Sequence, residues 1–479
     1  MITSRYSLLR KFLHICILRA FFLFPVYGQT PAALPLMSGW NDTSMVSPSW
    51  SEYLYNDCWG YVDSAGREYA ILGSLKGTFF FDVTNAYLPK LVCFQRGKDT
   101  VAIHRDYKTY SHYAYAVCDE GSSSLQIFDL QYLPDSVVKV YDDDSLSVKC
   151  HNIHISGGKL FLASNTTSSA FHAMDVLSLS DPVKPSFIST LSSTFFWHVH
   201  DVCVRNDTAF CSCGYNGIFI YDYTTPGAPV LLQSITYYPD KGYAHSSWIT
   251  PDGHWLAAAD ENHGLGIKLF DVSDLSNISC ATVFRSNLLN VPNPASASGS
   301  IPHNPFIMGS KIFTAYYHDG LEVFDMFNPH NGSGYPEYCF DTYPQNNDYT
   351  TLAYAGCWGT YPFLPSHHII VSDITNGLFV IDGNALFSSL FDKLPAESRA
   401  YVVCQGNEQL PELFLQSMTP GKVRIEIKDC AGRLLYTGEK NLPQGDSSVP
   451  LGVSGWAPGI YFVKVSGEHF NSTTKFAAR

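Results

Sequence analysis

The sequence predicts an all-β chain, a seven-bladed β-propeller followed by a small C-terminal β-sandwich, and three observations carry that prediction. An apolar strand ending in Asp recurs at Asp82, Asp129, Asp175, Asp222, Asp271, Asp325 and Asp382, at intervals of 47, 46, 47, 49, 54 and 57 residues. Each unit also opens on a recognisable pair: Trp59-Gly60, Arg105-Asp106, His151-Asn152, His200-Asp201, His245-Ser246, His303-Asn304 and Trp358-Gly359. From the second member of each pair to its Asp the counts are 22, 23, 23, 21, 25, 21 and 23, so the unit stays nearly fixed while the connections stretch. Seven units of roughly four short strands, at a period of about 50, read as a propeller. Finally, the period is lost after residue 385 and longer alternating strands follow.

The unit is clearest around His200. His200-Asp201-Val202-Cys203-Val204 reads as a strand, Asn206-Asp207 as a tight turn and the run through Phe210 as a second strand. Gly214-Tyr215-Asn216-Gly217 is then a loop, and Ile218-Phe219-Ile220-Tyr221-Asp222 a third strand. The strands are β-branched and aromatic, and the breaks are Gly, Asn and Asp.

Upstream, residues 1–28 read as a secretory signal. Arg5, Arg10 and Lys11 precede a mostly apolar run from Phe12 to Val26, and Val26-Tyr27-Gly28 supplies a small-residue cleavage site before Gln29. His14 and Arg19 interrupt that run, and no later stretch is long and apolar enough to span a bilayer. An exported chain with no transmembrane span after signal cleavage is expected. Residues 29–393 then form the propeller. The seventh unit has three strands, and Leu34 to Trp40 is an apolar strand with no partner, so it is expected to complete the last blade and close the ring. Residues 394–479 form the sandwich: Val423 to Ile427 and Gly459 to Val465 alternate strictly, with a turn at Asp429 to Arg433.

At 479 residues the chain can bury a large core in at least two domains. Charged residues are 15% and aromatics 14%, which suits β-rich cores. The net charge of −13 argues against a nucleic-acid partner, because phosphate binding needs a basic face. Twelve of the thirteen cysteines follow the signal, and none forms a metal-type C-x-x-C pair. Most occupy apolar strand positions, as buried thiols do. Their even number in an exported chain also permits disulfides, with Cys404 and Cys430 the first pair to test.

The repeat register singles out candidate functional residues. The first position of the opening pair is His in four consecutive units: His151, His200, His245 and His303. In a propeller this strand is innermost, so its start lies at the rim of the central channel. The loops between second and third strands emerge on the same face, because direction alternates. They bring Asp119-Glu120, Asn165, Tyr215-Asn216, Asp260-Glu261-Asn262, His318-Asp319 and Asp373. Imidazoles among carboxylates form a candidate divalent-metal site. The bland reading is that each His hydrogen-bonds to the next blade. Trp59 and Trp358, neighbours in a closed ring, with Arg105 beside them, could stack a glycan or hold an anionic ligand; equally, the two Trp could simply close the seam between first and last blades. No G-x-S-x-G elbow, H-E-x-x-H or P-loop is present. Asp260 and Glu261 are adjacent loop residues, which seldom face one cleft as glycosidase acids must, and they are read as ligand-binding or solvated.

Two resemblances follow from these motifs. Asp429 with Gly432-Arg433, Leu451 through Trp456-Ala457-Pro458-Gly459-Ile460-Tyr461, and Lys475-Phe476 resemble the C-terminal sorting domain of the Bacteroidetes type IX secretion system. That implies recognition by the secretion machinery, cleavage of the domain, and a secreted or outer-membrane cell-surface location. Cys430-Ala431 departs from the apolar or Thr residues expected there. Asn56-Asp57-Cys58-Trp59-Gly60-Tyr61, Arg105-Asp106, His151-Asn152-Ile153, His200-Asp201-Val202, His245-Ser246-Ser247-Trp248, His303-Asn304 and Gly356 through Phe363 resemble the choice-of-anchor B family of LVIVD-repeat surface propellers. That resemblance implies a surface propeller and leaves activity undefined. A surface binding or scaffold module is the leading expectation; a metal-dependent hydrolase or lyase using the same four His and a bound water is the alternative.

Overall fold

A computed structural model describes residues 31–48, 52–286, 300–326, 333–344, 354–387 and, towards the C-terminus, 399–403, 412–417, 421–429, 432–442, 445–450, 459–467 and 471–478. The signal segment 1–28, Cys404 and Cys430 lie outside them. The described chain is all-β and β-propeller-like, with many four-stranded sheets and only short 3-10 turns. No helix among the described residues is long and apolar enough to cross a membrane.

The local chemistry explains the unit. Asp201–Arg205 pairs antiparallel with Thr208–Ser212 through a two-residue turn, and Asn206 and Asp207 both take positive φ, 47° and 60°. That is the primed turn whose twist matches the strands it joins, and Asn and Asp tolerate it best after Gly. The Asp landmarks also have a cause. Asp82, Asp129, Asp222, Asp271 and Asp382 each accept a hydrogen bond from the backbone N–H two residues on, at 2.7–3.0 Å. This turns the chain out of the third strand. Asp175 and Asp325 serve otherwise, binding Asn165 and Thr190 in one case and Lys311 in the other.

Neighbouring sheets share apolar cores. Phe161, Val176, Val202 and Cys211 lie in one cluster; Phe210, Ile220, Leu256 and Phe270 in the next. The series closes on itself, because Ile370, Leu378 and Val380 near the end pack with Ala70, Leu72 and Phe81 near the start. The inner strands follow suit: Cys357–Tyr361 lies against Tyr55–Val62. The early segment does supply a strand, since Leu36–Trp40 pairs antiparallel with Gly377–Asp382. Just before it, Ala32–Ala33 pairs parallel with Pro336–Phe340 of the preceding sheet, so one segment ties two sheets. All ten described cysteines are free thiols.

Towards the C-terminus, Arg399–Val403, Glu412–Ser417 and Gly445–Pro450 form one sheet. Gly421–Asp429, Leu434–Leu442, Gly459–Gly467 and Asn471–Ala478 form a second. Leu413 and Leu415 of the first pack with Val423, Ile425, Ile427, Val463 and Val465 of the second. Asp429 receives both the backbone N–H and the Nε–H of Arg433, at 2.9 and 2.7 Å, which fixes the turn between two of the long strands.

Candidate functional site

The starts of the inner strands gather a circuit of rings. Centroid separations are 5.5 Å for His104–His151, 4.1 Å for His151–His200, 4.2 Å for His200–His245 and 4.3 Å for His245–His303. Trp358 closes it at 5.1 Å from His303 and 5.3 Å from His104. His151, His200, His245, His303 and Trp358 are therefore brought together. His104 is a member that the repeat register missed. By strand pairing Arg105 holds the position equivalent to His200, since Asp106 pairs with Val117 as Asp201 pairs with Ser212. The nearest signal for His104 was its place one residue before the second pair, beside a Glu120 already singled out.

The hydrogen bonds decide what the imidazoles can do. His200 Nδ1 donates to His245 O at 3.1 Å, and His303 Nδ1 donates to Trp358 O at 2.6 Å. A carbonyl only accepts, so in both rings the proton sits on Nδ1 and the lone pair is left on Nε2. His151 Nδ1 meets Asp119 Oδ2 at 2.6 Å, and His104 Nδ1 meets Glu120. The bonds between neighbouring units and a ligating role are thus compatible, because they use opposite ring nitrogens. His245 Nδ1 is buried without a partner, and His245 Nε2 lies 3.6 Å from Glu261 Oε2. Ligand atoms of His151, His200 and His245 fall within 4.8 Å of one another, as do those of His245, Glu261 and His303. His245 belongs to both sets.

Burial dominates the electrostatics. It holds His200 and His245 well below the ordinary imidazole value, helped by the neighbouring imidazoles, and presses His303 down to about 3. Burial also opposes charge on His151, but the Asp119 hydrogen bond and charge outweigh it and its pKa is raised. Burial raises Glu261, against a hydrogen bond from Tyr317 at 2.8 Å. Either set, three imidazoles or two imidazoles with a carboxylate, is nitrogen-rich and suits zinc or a neighbouring divalent transition metal. Aromatic rings surround the mouth: Tyr243 against His200, Tyr317 against His303, and the exposed Trp197 and Tyr215 beside His198 and Tyr243.

Three expected ligand-binding residues sit elsewhere. Arg105 is only 3% exposed, and its guanidinium donates to Ser74 O at 2.9 Å, Leu75 O at 3.4 Å and Asp99 O at 2.5 Å. It fastens the second unit to the first and does not face the mouth. Trp59 lies deeper, against Tyr361 and Phe306 with Lys108 over its ring, so it is not a neighbour of Trp358 in the circuit. Asp260 is consumed by Lys268 at 2.7 Å, Tyr238 at 2.8 Å and the Gly242 N–H at 3.0 Å. Of the adjacent acids only Glu261 enters the site.

Below the circuit lies a small chamber with Asp57, Asp106, Asn152, Asp201, Ser247 and Asn304 on its polar wall, Lys108 and His154 alongside, and Trp248 and Phe306 on its apolar side. Burial and the Asp106 charge push Asp57 well up, and burial raises Asp201 to about 7.

With this geometry in view, comparison with known proteins separates two parts. Residues 412–479 match the secretion system C-terminal sorting domain. The tail is thus a type IX sorting signal, which indicates recognition by that secretion machinery and export to the cell surface or beyond. Among solved structures the chain is similar to the computationally designed Ika8 protein, with 6% identity over 69% of this chain and 97% of that one, TM-score 0.41. It is also similar to the β-propeller domain of Myceliophteria thermophila Cps50 (Swd1), with 10% identity over 68% and 96%, TM-score 0.44. No curated protein matches.

Proposed function

We propose that the chain is an exported seven-bladed β-propeller with a C-terminal β-sandwich, displayed at the cell surface as a binding or scaffold module around a divalent transition metal. On this reading residues 1–28 are its signal, 29–393 its propeller and 394–479 its sorting domain, and the resemblance of the quoted motifs to the choice-of-anchor B propellers supports it. The observation that carries the metal reading is the anchoring of Nδ1 in His151, His200 and His303, which leaves Nε2 of each as the free ligand atom, with His245 between His200 and His303 and shared by both ligand sets. The exposed Trp197 and Tyr215 at the mouth give a glycan a stacking surface.

A metal-dependent hydrolase or lyase is the second reading, favoured by Glu261. Its raised pKa and its place beside His245 suit a general base for a metal-bound water. Elemental analysis of the purified chain tests both. One transition metal per chain is expected, with affinity at least about tenfold weaker in His245→Ala, since His245 belongs to both ligand sets. A folded, metal-free protein that takes up no zinc would overturn the metal site. Turnover of ester, phosphoester or glycan probes that disappears in Glu261→Gln while metal is retained would select the enzyme.

A further inference from the structure

The chamber beneath the imidazole circuit has a different chemistry, and its reading does not rest on the metal above. Lys108 Nζ donates to both carboxylate oxygens of Asp106, at 2.9 and 3.1 Å, and the Ile153 N–H donates to Asp106 Oδ2 at 2.7 Å. Asp106 is therefore neutralised and well supplied with donors. Asp57 and Asp201 line the same chamber, and no described hydrogen bond or ion pair gives either of them a cation. Ionised, they would leave a formal deficit of about two charges beyond what Lys108 offsets; without a cation, both are driven towards the neutral acid, and Asp57 shares a hydrogen bond with Asp106.

A second observation is independent of charge. Asn152 Oδ1, Asn304 Oδ1 and Ser247 Oγ are buried with no hydrogen-bond partner, and Ser247 is only 3% exposed. These three residues come from three different sheets yet line one chamber with Asp57 and Asp201. A buried oxygen left unmatched forfeits the hydrogen bonds it had in water, so several around one space point to an occupant. A water could donate to the amide oxygens but would leave Asp57 and Asp201 held towards the neutral form by burial. A divalent monatomic ion satisfies both demands.

The ligand atoms decide which ion. The unpartnered side-chain atoms of Asn152, Asn304 and Ser247 and the carboxyls of Asp57 and Asp201 are all oxygens; the one imidazole on the wall, His154, is tied through Nε2 to Val204 O at 3.1 Å, whereas the upper site is dominated by imidazole nitrogen. Oxygen sets of this kind select hard cations, and an irregular shell of neutral and charged oxygens suits calcium better than magnesium, which demands near-ideal octahedral geometry. We propose that the chamber is a structural calcium site on the propeller axis, with Asp57 and Asp201 supplying charge and Asn152, Asn304 and Ser247 completing the shell. The ion ties together inner strands of five sheets, and Trp248, which also lines the chamber, stands beside it.

The test uses the full-length protein purified without chelator. Elemental analysis should find one calcium per chain beside any transition metal. After calcium removal, terbium should give luminescence sensitised through Trp248 that added calcium quenches by displacement. Ser247→Ala and Asp201→Asn should each weaken terbium and calcium affinity at least about tenfold while leaving the transition-metal content unchanged, and His245→Ala should do the reverse. Ser247→Ala removes one oxygen only, so it keeps the test open if Asp201→Asn fails to fold. A folded wild-type chain that holds no calcium and gives no terbium signal in millimolar metal overturns the proposal. So does a signal indifferent to both chamber variants, which would put the ion elsewhere. Neither result touches the imidazole site, whose fate is read from zinc content alone.

Discussion

A methyl group on residue 359 would stand 2.3 Å from Asp57 Oδ1 and 3.1 Å from Ser372 Oγ. Gly359 therefore makes room for a chamber carboxylate from the neighbouring inner strand. Gly359→Ala should lower stability by about 1–3 kcal/mol, an overpacking cost, and an unchanged melting temperature would show that Asp57 is free to move. The same residue exposes the one slip in the repeat register. Cys58-Trp59-Gly60 and Cys357-Trp358-Gly359 are alike in sequence, yet Tyr55 pairs with Ser74 as Cys357 pairs with Asp373. The equivalent of Trp358 is thus Asn56, three residues before Trp59. A bulge between Tyr55 and Cys58 is invisible to counting, and the corrected interval from Asp57 to Asp82 remains within the spread of the other units. The four His were legible because nothing local competes with their register. His104 was not, because whether it or Arg105 faces the axis is decided by which finds partners off it. For the metal-free protein a pH dependence follows. His200, His245 and His303 have folded pKa values below the unfolded value near 6.5, so the unfolded chain binds more protons between that value and the folded ones. Stability should fall as pH drops below about 6.5 towards about 3, by several kcal/mol in order of magnitude. His151, raised by Asp119, opposes this by stabilising on the acid side and losing that contribution as pH rises through its folded pKa. Urea denaturation of chelator-treated protein at pH 7.5 and 5 checks the sign, and equal stability at both would remove the buried neutral imidazoles from the account.

At the scale of the element, the early strand shows what alternation can and cannot tell. Its pairing with Gly377–Asp382 was readable, because an orphan apolar strand and a unit one strand short define each other. Which of its side chains would be buried was not readable, since the strand lies at a sheet edge and one face remains open. Leu36 is 50% exposed, whereas Leu34 is 3% exposed and packs with Phe313, Ile369 and Ile381. Trp40 meets Phe79 and Phe81 at centroid distances of 4.9 and 4.7 Å, joining the last sheet to the first. Leu34→Ala should therefore cost about 2–4 kcal/mol, and Leu36→Ala less than about 1 kcal/mol. Chemical denaturation of the two variants side by side gives the contrast; equal losses would mean that the strand is held by its ladder alone. Deleting residues 31–42 removes the ladder and Trp40 together, and should leave a chain that aggregates or melts far below the parent.

At the scale of the whole molecule, the closed series of inter-sheet cores and the C-terminal core are separate. Leu413, Leu415, Val423, Ile425, Ile427, Tyr461, Val463 and Val465 pack among themselves, and none of the described clusters mixes them with residues before 388. The change of period after residue 385 is where the sequence leads one to expect such a boundary, because a sheet within the ring must repeat the unit and a sheet outside it need not. The match of residues 412–479 to the sorting domain puts the export signal entirely on the far side of it. Folding of the ring and addressing of the chain should then be separable. A chain ending after Leu394 keeps the early strand, all the inner strands and the imidazole circuit, and loses only the tail. It should melt cooperatively within a few degrees of the full-length protein and keep its metal content, since distant sites without shared partners contribute independently. In a producing cell it should remain inside the envelope, where the intact chain reaches the surface. Calorimetry of the purified fragment and surface proteolysis of intact cells measure the two halves separately. A fragment that fails to fold would show that the tail supports the ring, and a fragment that still reaches the surface would show that the address lies elsewhere.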